Sequence, residues 1–444
     1  MRSLAGKSFA VLQRDILLLG TTIATSVVGA RTLGPHILGL WVILNLIPSY
    51  GETLGRLKVD VAAVYYLGKG LYKPGDVVFV LNAIAVASGC LIILPVILFF
   101  DRFSVALFAA DAQFVKPYIY LMLLQVPVTF LYVNYTYLHI QREDVDALNS
   151  MVMTRALLTS FLIIVGVFVL GLGLAALAIG QAIALLCALL LGIYRYGIPK
   201  REAKRINPQL VKDLVRYGSK LYVANVAAYF NTYSTQAIVV AFCPSAQVAF
   251  FSIAQQLAQL VSKVTDALGT FLYSRVAGTQ KVSDSALLAA RAFRVSLVVL
   301  LPCVVVASVA VAPVMLLLYG PSYLPALIPF WIILPGVTMA AAATTLGVFF
   351  QGIGRADLVA KIAFVPVVAQ LSLGLLLVRH LQITGAALAF LAALLASTAI
   401  QIAVFLRLTG SSGRHALLIR REDMKTVWQF VAGLLGRMFA RVHK

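Results

Sequence analysis

Residues Val295–Leu318 read VSLVVLLPCVVVASVAVAPVMLLL, a stretch of apolar and small residues without a single charge. An α-helix needs about 20 such residues to cross the hydrocarbon core of a bilayer. Similar runs occupy Val77–Phe100, Ala156–Gly173 and Leu174–Ile193. Because the runs are continuous and do not alternate with polar residues, they predict membrane-spanning helices and not the strands of a barrel.

The composition extends this prediction to the whole chain. Of its 444 residues, 61% are hydrophobic and only 12% are charged, whereas about a quarter of a soluble domain is charged. The connections between apolar runs are short. We therefore predict one all-α, polytopic membrane protein with about twelve spans, near residues 11–31, 37–56, 76–100, 117–139, 151–172, 174–195, 218–242, 247–272, 293–318, 326–350, 361–379 and 385–406.

Basic residues predict the orientation of these spans. The chain has 36 Lys and Arg against 16 Asp and Glu, and short cytoplasmic loops of membrane proteins are rich in Lys and Arg. If both termini are cytoplasmic, the outer loops hold only Arg31, Arg102, Lys116 and Arg379. We therefore expect a multi-pass protein with both termini in the cytoplasm.

Short sequences recur at an offset within two residues of 211, which indicates an internal duplication. Arg142-Glu143-Asp144 corresponds to Arg355-Ala356-Asp357, and Pro35 corresponds to Pro244. Two parallel six-helix lobes normally bind their substrate at the interface between them. The predicted organisation is an N-terminal lobe (1–199), a basic cytoplasmic loop (200–217), a C-terminal lobe (218–407) and a basic amphipathic tail (408–444) that lies on anionic lipids of the inner leaflet.

Polar residues follow one helical face in predicted spans 1, 2, 7 and 8, the first two spans of each lobe. We expect these faces to line a water-filled, cationic cavity. An ionised side chain costs about 2.5–3.5 kcal/mol at the centre of a bilayer. Some of the charged residues could alternatively be anchors that snorkel to the inner interface. The substrate-binding candidates are Arg14, Asn45, Arg56, Asn225, Tyr229, Gln255, Gln259 and Lys263, and the ion-coupling candidates are Asp15, Glu52 and Asp266.

Catalytic and metal sites are not predicted. The five histidines are scattered along the chain, the four cysteines lack paired spacing, and Asp101 and Asp111 on the outer loops have no partner nearby in the sequence. A membrane glycosyltransferase or ligase would need acidic or histidine groups gathered at one face. We expect neither a cofactor nor a nucleic-acid partner.

Several turns resemble those of a known family. Ala30–Pro35 (ARTLGP) with Gly39–Trp41 (GLW), Val59–Gly70 (VDVAAVYYLGKG), Leu318–Tyr323 (LYGPSY) and Gln351–Asp357 (QGIGRAD) resemble the turns of bacterial polysaccharide flippases. These flippases belong to the multidrug/oligosaccharidyl-lipid/polysaccharide superfamily. The resemblance covers the whole chain in length, number of spans and repeat.

The resemblance implies a function as well as a fold. Members of the family move an undecaprenyl-pyrophosphate-linked glycan from the inner to the outer leaflet of the bacterial inner membrane, by alternating access between two lobes. It further implies coupling to an H⁺ or Na⁺ gradient and cooperation with polysaccharide polymerase machinery. Arg31 resembles a basic position of the family at the outer mouth, which makes it a candidate for substrate release or gating; its alternative role is to stabilise the turn.

Two functions within the same superfamily remain as alternatives. A multidrug antiporter exports cations and should have an acidic cavity, against which Arg14, Arg56 and Lys263 argue. A lipid II flippase would handle a similar substrate, but that family usually has extra helices after span 12. This sequence offers only the amphipathic tail there.

Overall fold

The computed structural model describes residues 4–197, 207–263, 265, 282–410 and 423–424. Every regular element in these ranges is helical, as predicted from the continuous apolar runs. Short 3₁₀ helices at Ala109–Asp111 and Pro321–Ala326 accompany twelve α-helices. These are α1 (Leu4–Gly55), α2 (Val59–Gly68), α3 (Pro74–Leu98), α4 (Phe100–Phe108), α5 (Ala112–Gln141), α6 (Val145–Phe168), α7 (Leu174–Tyr196), α8 (Pro208–Phe242), α9 (Ser245–Leu260), α10 (Val282–Leu318), α11 (Leu327–Gly352) and α12 (Ala356–Thr409).

The length and apolar character of the helices are those of a polytopic membrane protein. Within the described ranges, eight helical segments are long and apolar enough to cross a membrane. Two of them, in α1 and α12, contain a non-helical residue, Gly34 and Gln382 respectively, so that each supplies two spans. The more polar helices α8 and α9 lie where spans 7 and 8 were predicted. The predicted fold class is thus confirmed.

The break in α1 follows from two adjacent residues. Gly34 has a φ of 74°, a left-handed conformation that glycine adopts without a steric penalty. Pro35 comes next and has no N–H with which to continue the helical hydrogen bonds. The sequence Gly34-Pro35 therefore ends the first span and starts the second.

The chain divides into two compact units, of which unit 1 comprises Met1–Tyr229 and Pro244–Ala249. A hydrophobic core of this unit contains buried side chains from α3, α5, α6 and α7, such as Leu81, Leu138, Met151 and Leu189. Large apolar side chains on the same helices, Phe168 among them, remain exposed. An apolar exterior of this kind suits a protein that is surrounded by lipid.

Within unit 1, the start of α9 approaches α1 very closely at Gly39. A Cβ atom at position 39 would lie only 1.7 Å from the backbone oxygen of Ser245. No side chain fits at that distance, so only glycine permits this contact.

Unit 2 comprises Phe230–Cys243 and Phe250–Lys444. Large buried aromatics, including Phe330, Phe349 and Phe405, fill its core between α11 and α12. A polar network ties α12 to α8 at Gln370, whose side chain is fully buried. The Gln370 amide oxygen accepts hydrogen bonds from the Ser234 and Thr235 hydroxyls, and its nitrogen donates to the Asn231 backbone oxygen at 2.9 Å.

We predict that Gln370→Leu destabilises the protein by about 1–2 kcal/mol, because side-chain hydrogen bonds between membrane helices contribute that much. The thermal unfolding midpoint in detergent micelles should fall accordingly. Gln401→Leu is the matched control, since the Gln401 amide makes one 3.5 Å contact, to Ser397 of its own helix. Equal midpoints for the Gln370→Leu protein and the wild type would show that the network does not stabilise unit 2.

Candidate functional site

An ionic triad with two buried members lies where α1 ends and α2 begins. The Arg56 guanidinium donates one hydrogen bond to Glu52 and another, at 2.9 Å, to Asp60 Oδ2. Arg56 is 8% exposed and Asp60 is fully buried. In the described part of the chain, neither Asp60 Oδ1 nor Arg56 Nε has a hydrogen-bond partner. Arg56, a predicted substrate ligand, is therefore bonded to two carboxylates, one of which is the predicted coupling residue Glu52.

The turn inside this triad is strained. Leu57 and Lys58 have φ values of 49° and 54°, in the left-handed region that costs non-glycine residues about 1–2 kcal/mol each. Burial, and then the positive charge of Arg56, lowers the pKa of Lys58. On the preceding turn, the Tyr222 hydroxyl of α8 donates to the Leu54 backbone oxygen at 2.9 Å. The contacts of Arg56 and Tyr222 hold the chain in this conformation.

Tyrosine side chains form contacts between α2, the loop that follows it and the start of α8. Tyr217, in the first part of α8, stacks on Tyr65 with ring centroids 4.6 Å apart. The Tyr72 hydroxyl donates to Asp213 at 2.6 Å. The hydrogen bond to this carboxylate, and then burial, raise the pKa of Tyr72 to about 12. These rings pack against each other within unit 1, so Tyr217 contributes to packing there.

The polar face of the first span meets α6. The Arg14 guanidinium donates to the Asn149 side-chain oxygen at 3.2 Å. Further along the same two helices, the hydroxyl of Thr25 on α1 is 2.9 Å from the hydroxyl of Ser160 on α6. Arg14 of α1 therefore contacts α6 through the Asn149 amide.

Arg155 on α6 is a functional candidate that was not predicted from the sequence. It is half-buried and follows the first residue of α6 by ten positions, which places it about 15 Å along the helix at 1.5 Å per residue. Its guanidinium lies 5.0 Å from the centre of the Tyr132 ring. The signal was present in the sequence as one arginine inside the predicted span 151–172.

The remaining predicted residues are divided between the two units. Asn45 donates to Trp41 of its own helix at 2.9 Å, and Gln255 donates to the Thr232 backbone oxygen at 3.2 Å. The Tyr229 ring meets Tyr50 edge-on at 5.2 Å. Asn225 and Gln259 are half-buried, Arg31 and Lys263 are exposed, and the Asp15 side chain and Asp266 lie outside the described residues.

A hydrogen-bonded relay joins three segments of unit 1 beside the Gly34 break. His36 Nε2 is 3.2 Å from Asp111 Oδ1, and His36 Nδ1 is 2.7 Å from the Ser245 hydroxyl. The sequence showed no partner for Asp111, but the fold provides one. Because Gly39 and Ser245 are also in close contact, this relay fixes the start of α9 against α1.

The predicted amphipathic tail contacts unit 2 at Asp423. Asp423 is buried in unit 2 and accepts a hydrogen bond from Arg294 Nε of α10 at 2.8 Å. This part of the tail thus packs on a helix. Most of the tail, residues 411–422 and 425–444, lies outside the described ranges.

A metal site does not emerge from these contacts. In the ranges that the structure describes, no three His, Cys, Asp or Glu side chains gather in a way that could hold an ion. The contacts described above are charge pairs and hydrogen bonds of arginine, carboxylate, amide and hydroxyl groups.

Residues 30–328 match the profile of a family described as "Polysaccharide biosynthesis protein". No curated protein matches the sequence significantly.

Solved structures share the fold at low sequence identity. An inward-facing multidrug resistance transporter of the MATE family in the MOP superfamily superposes with a TM-score of 0.70 and 14% identity, covering 88% of this chain and 96% of the other. The lipid II flippase MurJ in an inward closed conformation gives a TM-score of 0.69 and 14% identity, covering 91% and 89%. An outward-facing MATE transporter gives 0.62 and 13%, covering 90% and 95%. At these identities the likeness shows a common fold.

We predict that Arg56→Leu destabilises the protein by about 3–5 kcal/mol, because it leaves the buried Asp60 carboxylate without its cation. The double variant Arg56→Leu/Asp60→Leu should recover part of this loss, since both charges are then removed. Unfolding in detergent micelles measures both effects.

Arg355→Leu is the matched control for this experiment. The Arg355–Asp357 pair is about half exposed on both sides, so its loss should change stability little. If Arg56→Leu were no more destabilising than Arg355→Leu, the triad would not be a structural element.

Proposed function

The chain belongs to the family of polysaccharide biosynthesis proteins, and we propose that it is a flippase for a lipid-linked oligosaccharide. In this proposal it moves an undecaprenyl-pyrophosphate-linked glycan from the inner to the outer leaflet of the bacterial inner membrane. Its fold, shared with transporters and a lipid flippase, supports the role of a secondary transporter over that of an enzyme.

The observation that carries the proposal is the placement of arginines inside membrane helices. Arg14 of α1 contacts the Asn149 amide, and Arg155 of α6 contacts the Tyr132 ring. A pyrophosphate cannot enter hydrocarbon without compensation for its charge. Guanidinium groups supply that compensation through charge-assisted hydrogen bonds. Cations at membrane depth therefore suit an anionic headgroup.

The proposed mechanism is alternating access through a cationic cavity between two lobes. The polyprenyl chain stays in the lipid, while the pyrophosphate and the glycan cross in contact with polar and cationic groups. An H⁺ or Na⁺ gradient supplies the free energy, and Glu52, Asp15 and Asp266 remain the candidates for coupling. Both termini are cytoplasmic in this scheme, which the basic loops favour.

A multidrug antiporter shares the fold but not this chemistry. An exported cation would meet Arg14, Arg155 and Lys263, and like charges repel it. The family match favours polysaccharide synthesis over drug export. Lipid II is a chemically closer alternative, and the glycan on the lipid is what distinguishes it from the proposed substrate.

We expect Arg14→Ala and Lys263→Ala to lower surface glycan in cells that depend on this protein. A charge-assisted hydrogen bond contributes about 1.5–3 kcal/mol, so each loss should reduce output by roughly tenfold or more. Surface glycan is measured by immunoblotting, alongside the amount of protein in the membrane fraction.

Arg102→Ala serves as the control, because Arg102 is exposed on α4 and outside the candidate site. Normal glycan output from the Arg14→Ala/Lys263→Ala double variant would count decisively against these residues as substrate ligands.

A further inference from the structure

Asp60 is a buried carboxylate whose two oxygens differ in their contacts. Its side chain is fully buried in the first turn of α2. Oδ2 accepts a hydrogen bond from Arg56 at 2.9 Å, whereas Oδ1 has no hydrogen-bond partner in the described part of the chain. Buried polar atoms in proteins are almost always hydrogen-bonded. The unmatched oxygen is therefore a place where a further group can bind.

A proton fits this oxygen better than a metal ion does. Hard metal cations are held by several oxygen ligands, and the described ranges contain no cluster of three His, Cys, Asp or Glu side chains that provides them. The Arg56 guanidinium, bonded to the same carboxylate, would also repel a cation. A proton needs one lone pair, and its binding removes a negative charge that is costly to bury.

The ionic triad can accept this proton without leaving its arginine unpaired. Glu52 and Asp60 share one guanidinium. When Asp60 is neutral, Arg56 keeps its bond to Glu52, so that the buried cation still has an anion beside it. The Glu52 side chain is 37% exposed, which leaves one side of the triad within reach of solvent.

Opposing influences act on the charge of Asp60. Burial and the unmatched oxygen favour the neutral acid, whereas Arg56 and the N-terminal end of helix α2 favour the carboxylate. A change in pH can shift this balance. The ionisable groups on the elements packed around Asp60 are Glu52 and Arg56 at the end of α1, Lys58 in the turn, Asp76 in the first turn of α3 and Tyr137 on α5.

The bond between Arg56 and Asp60 spans the two strained residues of the turn. Leu57 and Lys58, with φ values of 49° and 54°, lie between the two partners in the chain. A strained backbone of this kind persists only where the surrounding contacts impose it. A charge-assisted hydrogen bond is roughly twice as strong as a neutral one. Protonation of Asp60 therefore weakens the contact that closes the turn.

The first part of α8 packs directly on this turn within unit 1. A Cβ atom at position 218 would lie 2.3 Å from the Leu57 backbone oxygen, so only Gly218 permits the contact. One turn further along α8, the Tyr222 hydroxyl donates to the Leu54 backbone oxygen at 2.9 Å. A change in the turn thus alters the surface on which α8 lies.

We propose that Asp60 Oδ1 is a proton-binding site, and that its protonation weakens the bond to Arg56 and releases the strained turn at Leu57 and Lys58. At high pH the charged carboxylate holds the turn. As the pH falls, a proton from solvent forms an O–H bond at Oδ1 and the turn is released. For transport, a step that rests on the proposed function, this site makes H⁺ the coupling ion.

Infrared difference spectroscopy of the purified full-length protein in detergent micelles detects the bound proton. Spectra are recorded as the pH is lowered from about 8 to about 4, a range in which buried and exposed carboxyl groups titrate. A carboxylic-acid carbonyl band that the wild type shows should be missing from Asp60→Asn. Glu52→Gln should retain that band. Its loss from Glu52→Gln and retention in Asp60→Asn would overturn the proposal.

Hydrogen–deuterium exchange, followed by mass spectrometry of a peptide that spans the triad, measures release of the turn. The Val59 and Ala62 amides donate across the turn to the Arg56 and Lys58 backbone oxygens. After correction for the intrinsic effect of pH, their exchange should quicken by about tenfold as the acid band grows, because a neutral bond replaces a charge-assisted one. Asp60→Asn should exchange at the fast rate at every pH.

Asp357→Asn is the matched control, because the Asp357–Arg355 pair at the start of α12 is about half exposed on both sides. It should leave the band and the exchange of the turn as they are in the wild type. If Asp60→Asn does not fold, Asp60→Glu, which keeps a carboxyl group, and Glu52→Gln should both still show faster exchange in acid. Exchange that does not depend on pH in these two variants and the wild type would overturn the proposal.

Replacement of Na⁺ by choline at constant ionic strength identifies the ion. The exchange of the turn should not change, and a Na⁺ effect at fixed pH that Asp60→Asn abolishes would show that a metal ion binds instead of a proton. These measurements use no lipid-linked glycan. Their failure would therefore leave the flippase function standing, and acid release of the turn in a protein that moves no glycan would leave the proton site standing.

Discussion

Arg56 lies between Glu52 and Asp60 because an ionised side chain surrounded by apolar helices must find opposite charge or water. The same constraint accounts for the buried Arg294–Asp423 pair. Arg155 differs from Arg56 and Arg294, because its described contact is the Tyr132 ring and not a carboxylate. Under the proposed function, the anionic headgroup of the substrate would supply the opposite charge for this arginine.

The sequence predicted the helices well and the contacts between them poorly. Long apolar runs such as that of Val295–Leu318 are a local property, so the spans follow from them directly. The His36 relay depends on Asp111 and Ser245, which are 75 and 209 positions away, and no local pattern reveals such contacts. Helical spacing correctly grouped Glu52 with Arg56. It could not show that Asp60, beyond the turn at the end of α1, joins them.

The local backbone repeats between the two halves of the chain. Glu143 and Gly354 both have positive φ values, lie 211 positions apart, and precede α6 and α12 respectively. Gly173 and Gln382, 209 positions apart, also share a positive φ and precede the next span in each half. The offset matches that of the sequence repeats. Gln382 and Glu143 adopt this conformation without being glycine, so the backbone pattern persists where the residue types differ.

A flippase of the proposed kind must move an anionic lipid headgroup across the bilayer. Proteoliposomes that contain the purified protein and an undecaprenyl-pyrophosphate-linked oligosaccharide provide the most direct measurement, with the glycan exposed on the outside detected by a lectin. If the proposed function is right, the glycan becomes accessible from the opposite side only when the protein and an ion gradient are present. Proteoliposomes that expel a lipophilic cation but leave the glycan lipid in its original leaflet would contradict it.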